Sequence, residues 1–159
     1  MNINLLTVGH IKEKYWREAI DEYSKRIGRY CNLKISEADD EKTPDKCSEN
    51  ERDKIIETEA KRLKKHIKNG TYLITLEIDG KQMDSVSFSR YIDDLQVRGV
   101  SDITFVIGGS LGLHHSITDN ADLHLSFSKM TFPHQMMRVV LLEQIYRSFR
   151  ISRGEPYHK

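Results

Sequence analysis

Two short stretches, Thr71–Ile78 and Asp102–Ile107, read apolar almost without a break and lack the alternation of a half-exposed strand. A strand carries apolar side chains on both faces only where both faces are covered, which is the signature of a parallel sheet between layers of helix. The segments around them change period to steps of three and four. Trp16, Ala19/Ile20, Tyr23, Ile27 and Tyr30 mark one helix over Lys12–Tyr30, and Ile56, Ala60, Leu63 and Ile67 mark another over Glu51–Ile67. Phe88, Tyr91, Ile92 and Leu95 mark a third over Ser87–Val97. Strands are predicted also at Asn2–Val8, Cys31–Glu37 and Asp122–Phe127. A short helix is predicted near His114–Asp119, and a final one from Pro133 to about Ile151, proline being suited to a first turn.

Strand and helix therefore alternate from one end to the other. The expected fold is α/β: a mostly parallel five-stranded sheet with helices on both faces, in a single domain spanning 1–159. The one loop-like stretch of any size, Ala38–Asn50, joins two elements and does not divide two domains. Sheets of this kind bind ligands beyond the carboxyl ends of their strands. The loops after Ile78, Ile107 and Phe127 are thus the places to look. The Asp79-Gly80 pair is expected to end its strand in a turn.

Several classes of function are excluded or disfavoured. No apolar run approaches the roughly 20 residues that span a bilayer, and the first residues lack the pattern of a secretory leader. Cys31 and Cys47 sit in no metal-like spacing, which fits a reduced, cytoplasmic protein. The seven histidines form no H-x-x-x-H or Cys/His set, so no metal site is expected. A serine-hydrolase elbow, G-x-S-x-G, is absent. The net charge of +1 speaks at first against a nucleic-acid partner. From Lys129 to Lys159, however, six basic residues face only Glu143 and Glu155, a local +4 that leaves −3 for the rest.

Four stretches could carry chemistry. In Phe105-Val106-Ile107-Gly108-Gly109-Ser110-Leu111-Gly112 a buried strand runs into three glycines, matching neither a dinucleotide fingerprint nor a P-loop. Such a loop either offers backbone amides to a ligand or serves only tight packing. In Leu123–His134 a strand, a loop and a helix start fall within twelve residues, and the loop, with Phe127, Ser128, Lys129, Met130, Thr131 and Phe132, is apolar and hydroxyl-bearing, as a pocket for a flat uncharged ring would be, or a buried crossover. The last helix is apolar nearly all round, through Met136, Met137, Val139, Val140, Leu141, Leu142, Ile145, Tyr146 and Phe149. It needs cover on two sides, either from its own domain or from a second subunit. Finally, Arg147, Tyr157 and His158 combine a phosphate-binding charge, a stacking face and a group that moves protons near neutral pH. The plain alternative for the last two is a frayed terminus.

Taken together, V-I-G-G-S-L-G, S-F-S-K-M-T-F-P-H, R-V-V-L-L-E-Q-I-Y-R and the terminal P-Y-H-K resemble the RlmH family of small SPOUT-superfamily methyltransferases, as do the opening V-G-H and K-x-x-Y-W. The resemblance runs the full length. It implies a C-terminal trefoil knot, which no spacing argument could suggest. It also implies a homodimer, S-adenosyl-L-methionine as cofactor, and 23S ribosomal RNA as substrate, methylated at N3 of a pseudouridine. Carried over residue by residue, it implies cofactor contacts from Leu76, Gly108, Phe127, Ser128, Lys129, Met130, Thr131 and Phe132. It implies catalytic roles for Arg147, Tyr157 and His158, with His158 as base or proton relay. One subunit's tail is expected to close the other's pocket. The rival reading is a non-catalytic ribosome- or RNA-binding module with a vestigial nucleotide pocket.

Overall fold

A computed structural model describes residues 1–159. Its elements run β1 (Asn2–Val8), α1 (Lys14–Ile27), β2 (Asn32–Ala38), α2 (Glu49–Lys64), β3 (Tyr72–Gln82), α3 (Ser85–Val97), β4 (Asp102–Ile107), α4 (His115–Thr118), β5 (Leu123–Ser126) and α5 (His134–Ser152). The five strands form one sheet in the order β2-β1-β4-β3-β5. Every pairing is parallel, so the sheet is wholly rather than mostly parallel.

The apolar strands are explained by two separate packing layers. Ile3, Leu5, Ile103, Phe105 and Ile74 point into the larger core with α1, α3 and α5. Their neighbours Leu6, Val8, Val106 and Leu73 point the other way, into a smaller core with Ala60 and Leu63 of α2 and Ile117 of α4. Each such side chain, fully withdrawn from water, contributes about 1.5–3 kcal/mol. The central strands β1 and β4 carry most of them.

Two helices start earlier than their periodicity predicts, because local caps set the boundary. Ser48 and Glu51 form a capping box. The Ser48 Oγ accepts from the Glu51 N–H at 3.3 Å, and the Glu51 carboxylate accepts from the Ser48 N–H at 2.8 Å. Helix α2 therefore begins at Glu49 and not at Glu51. Asp84 accepts from the Ser87 N–H at 2.6 Å and starts α3 at Ser85.

The expected turn at Asp79-Gly80 does not form. Strand β3 continues to Gln82, with a register shift against β5 between Leu76 and Lys81. A Cβ at Gly80 would lie 2.8 Å from the backbone of His124 and Leu125, so the glycine is what lets β3 bulge and then rejoin β5. The bulge turns Glu77, Ile78 and Asp79 toward the carboxyl end of the sheet, where they line a cavity.

Candidate active site

Three segments meet beyond the carboxyl ends of β3, β4 and β5 and enclose a cavity of about 830 Å³. The first is the bulge of β3, the second the glycine loop after β4, and the third the loop after β5 with the first turn of α5. Leu76, Gly108, Phe127, Ser128, Met130, Thr131 and Phe132 all line it. Of the eight residues expected to contact cofactor, only Lys129 does not. Its ammonium turns to the Asp79 carboxylate at 2.8 Å on the exposed rim.

The glycine loop owes its shape to one close approach. A Cβ on Gly108 would lie 2.5 Å from the Gly112 carbonyl oxygen, closer than real atoms come. Gly112 has φ +87° and donates its N–H to the Gly109 carbonyl at 3.1 Å, so the loop folds back on itself. The second loop is organised by hydroxyls. Ser126 Oγ donates to the Ile78 carbonyl at 2.8 Å, and Ser128 Oγ accepts from the Met130 N–H at 3.0 Å. These two serines thus hold backbone, while Leu76, Ile107, Leu125, Phe127 and Met137 give the cavity an apolar wall beside polar groups such as Thr131 and His134. A cavity of this size and lining takes a flat ring with a polar appendage.

Arg147, Tyr157 and His158 come together elsewhere. Both Nε and a terminal nitrogen of Arg147 donate to Glu143 Oε1, at 2.9 and 2.6 Å. The Tyr157 hydroxyl donates to the same oxygen at 3.2 Å. The guanidinium lies 4.6 Å from the centre of the Tyr157 ring, and His158 Nδ1 stands 3.4 Å from it. Burial, helped by Tyr23 and Glu143, pushes the Tyr157 hydroxyl up to about 12, so it remains a proton donor at neutral pH. Ten residues of α5 separate Arg147 from Met137 on the cavity wall, about 15 Å along the axis. Within one chain the two groups of residues do not share a site.

Sequence reasoning missed Arg138 and carried His134 only as the last residue of a loop motif, with no role of its own. Arg138 is 1% exposed. It donates to the carbonyls of Val8 and Gly9 at 2.9 and 2.7 Å and to Glu37 at 2.5 Å. It fastens the start of α5 to the end of β1, and Glu37 passes the network on to His10 at 2.8 Å. The signal was an arginine at an inward position of an apolar helix. His134 lines the cavity one turn away, and burial followed by the Arg138 charge lowers its proton affinity.

A cavity built from strand-end loops of a wholly parallel sheet, one of them glycine-rich, defines a small α/β enzyme that binds a nucleotide-like cofactor through backbone and apolar contacts. The family model described as predicted SPOUT methyltransferase matches residues 1–158, and the chain belongs to the SPOUT methyltransferase family. It is 57% identical to the ribosomal RNA large subunit methyltransferase H of Clostridium beijerinckii and 55% identical to that of Clostridium acetobutylicum, in each case over 159 residues and all of both chains. A relative in Methanococcus maripaludis is 61% identical over the same span. Among solved structures, a probable methylase family protein from Haemophilus influenzae superposes with a TM-score of 0.52 at 11% identity, covering 99% of this chain and 70% of that one. That likeness is one of fold.

Proposed function

We propose that residues 1–159 act as one methyltransferase domain that places a methyl group on N3 of a pseudouridine in 23S ribosomal RNA, on the assembled ribosome in the cytoplasm. The observation that carries this reading is the convergence of three separated segments, with seven of the expected residues, on one cavity in a chain of SPOUT family membership. The names of the full-length relatives supply the RNA substrate.

S-adenosylmethionine, bound in this cavity, supplies a methyl group already activated by the positive charge on its sulfur. The residues present suit it. Phe127, Leu76 and Met137 offer apolar surface, and the Gly108–Gly112 loop brings backbone close enough to meet a ligand without an intervening side chain. What remains for the protein is alignment and proton removal. His158 takes the N3 proton, Tyr157 packs on the target base, and Arg147 offsets the negative charge that grows on the ring. While His158 Nδ1 faces the Arg147 guanidinium it acts as acceptor and its other nitrogen carries the proton. The base role therefore requires the tail to leave this resting contact.

A homodimer answers the separation of the two groups, with the tail of one subunit closing the cavity of the other. Supporting this, Met136, Val139 and Val140 on α5 are only half-buried, and Met130 and Phe132 at the cavity rim are 71% and 40% exposed. The trefoil knot is part of the same proposal. After β5, at the far edge of the sheet, the chain crosses back so that Arg138 ends under β1. Mass-spectrometric mapping of ribosomal RNA from cells lacking the protein tests the function. One pseudouridine should lose its methyl group; an unchanged RNA overturns the reading.

A further inference from the structure

A second, smaller cavity of about 320 Å³ lies against the first, and Gly109, Ser110 and His134 line both. Its character is opposite. Asp40, Glu41, Lys42, Thr43 and Glu59 line it, with Val8 as its one hydrophobic residue. Glu59 stands out among them. It is 5% exposed, yet only one of its oxygens is satisfied, by the Glu41 N–H at 3.0 Å. The other, Oε2, makes no hydrogen bond and opens on the cavity beside Gly109, where a built Cβ would come within 3.2 Å of it. This oxygen lines the cavity without a donor from the protein, so a ligand N–H entering there would meet an unpaired carboxylate oxygen on an otherwise buried side chain. Arg62 acts on its charge but pairs directly with Glu41 instead.

Resting on the function proposed above, we infer that this polar cavity receives the target base and that Glu59 is the residue that distinguishes pseudouridine from uridine. The chemistry of the two bases makes the case. Both carry a ring N3–H, but the carbon–glycosidic link of pseudouridine frees a second donor, N1–H, that uridine lacks. The two ring nitrogens flank one carbonyl, so a base that lays this edge along the shared wall, with N3 at Ser110 on the side of the methyl donor, brings N1 to the Gly109 end, where an acceptor is required. Glu59 Oε2 is such an acceptor. Asp40 and His134 then border the base on the open side. A site that offers a desolvated acceptor rejects the analogue without the donor strongly, because the acceptor stays unpaired.

The test compares wild type, Glu59→Gln and Glu59→Ala on ribosomes carrying pseudouridine or uridine at the target position, alongside calorimetry with S-adenosylmethionine. Wild type should favour pseudouridine. In both variants kcat/KM for pseudouridine should fall roughly tenfold or more while that for uridine changes little, so that the preference narrows, with cofactor affinity within about twofold of wild type. The isosteric glutamine controls for folding, checked by its thermal melt. Equal losses on both bases, or a parallel loss of cofactor affinity, would overturn the assignment. Absence of methylation by wild type on either ribosome would instead bring down the function on which it rests, and cofactor binding would still report on the first cavity separately.

Discussion

The cofactor cavity and the C-terminal cluster are built on different physical terms. The cavity is made by backbone: glycines that permit close approach, a bulged strand, and serines that tie loops to carbonyls. The cluster is made by charge, with one carboxylate, Glu143, gathering Arg147 and Tyr157. The first needs its exact shape and tolerates little change, whereas the second is a contact at the surface that water and salt can loosen. A cavity can therefore be complete within one chain while the C-terminal residues are gathered elsewhere by a single carboxylate.

The sharpest way to break this contrast is to remove the tail. Deleting Gly154–Lys159 should abolish methylation and leave a dimer that binds S-adenosylmethionine with unchanged affinity, measured by calorimetry and sedimentation. Retained activity would mean that Tyr157 and His158 take no part. The converse experiment is Gly108→Ala. Its methyl group would meet the Gly112 carbonyl oxygen at 2.5 Å, a backbone atom that cannot swing aside as a side chain could. Overpacking of this kind costs about 1–3 kcal/mol, and cofactor affinity should drop roughly tenfold to a hundredfold while Tyr157 keeps its environment by fluorescence. A smaller effect is expected from Tyr157→Phe, which deletes one hydrogen bond to Glu143 and keeps the ring on Arg147. A loss near 1 kcal/mol in tail ordering, read as a modest fall in kcat with unaltered cofactor affinity, would fit a positioning contact. A fall as large as that from the truncation would mean that the hydroxyl itself takes part in the reaction.

What could be read from the sequence divides along the same line. The sheet was legible because nearly continuous apolar runs such as Asp102–Ile107 have few other ways to be buried, and that strand has the predicted bounds. The cavity was legible as a place, since parallel sheets bind ligands at strand ends. Its residues came from the resemblance, and geometry brought seven of the eight together. The bulge at Gly80 was illegible because Asp-Gly is a turn signal locally and a packing device only in the presence of β5. Arg138 and Glu59 were illegible for a related reason. Arg138 shows in the sequence only as a charge on an otherwise apolar helix, and Glu59 as one charge among many on α2; neither reads as buried until the partners that bury it, here the ends of β1 and β2 and the loop at Glu41, are in place.

The smallest expected effect concerns pH, and it sets the cavity-wall histidine apart from one near the sheet's edge. His134, at the cavity wall, has its proton affinity lowered first by burial and then by the Arg138 charge, with Asp40 and Glu13 opposing. A histidine depressed in the fold is taken up as the neutral form. Its favourable contribution is complete above the unfolded value of 6.5, and is lost as pH falls from there toward the lower folded value, because the unfolded chain accepts the proton first. Near the sheet's edge the sign is reversed: His10, between Asp39 and Glu37, is raised, and its contribution is lost as pH rises. The comparison must therefore be made within one position. His134→Gln should melt below wild type at pH 7.5, and the gap should narrow by pH 5.5. A gap independent of pH would show that His134 acts by packing alone, and would leave the cavity without a titrating wall.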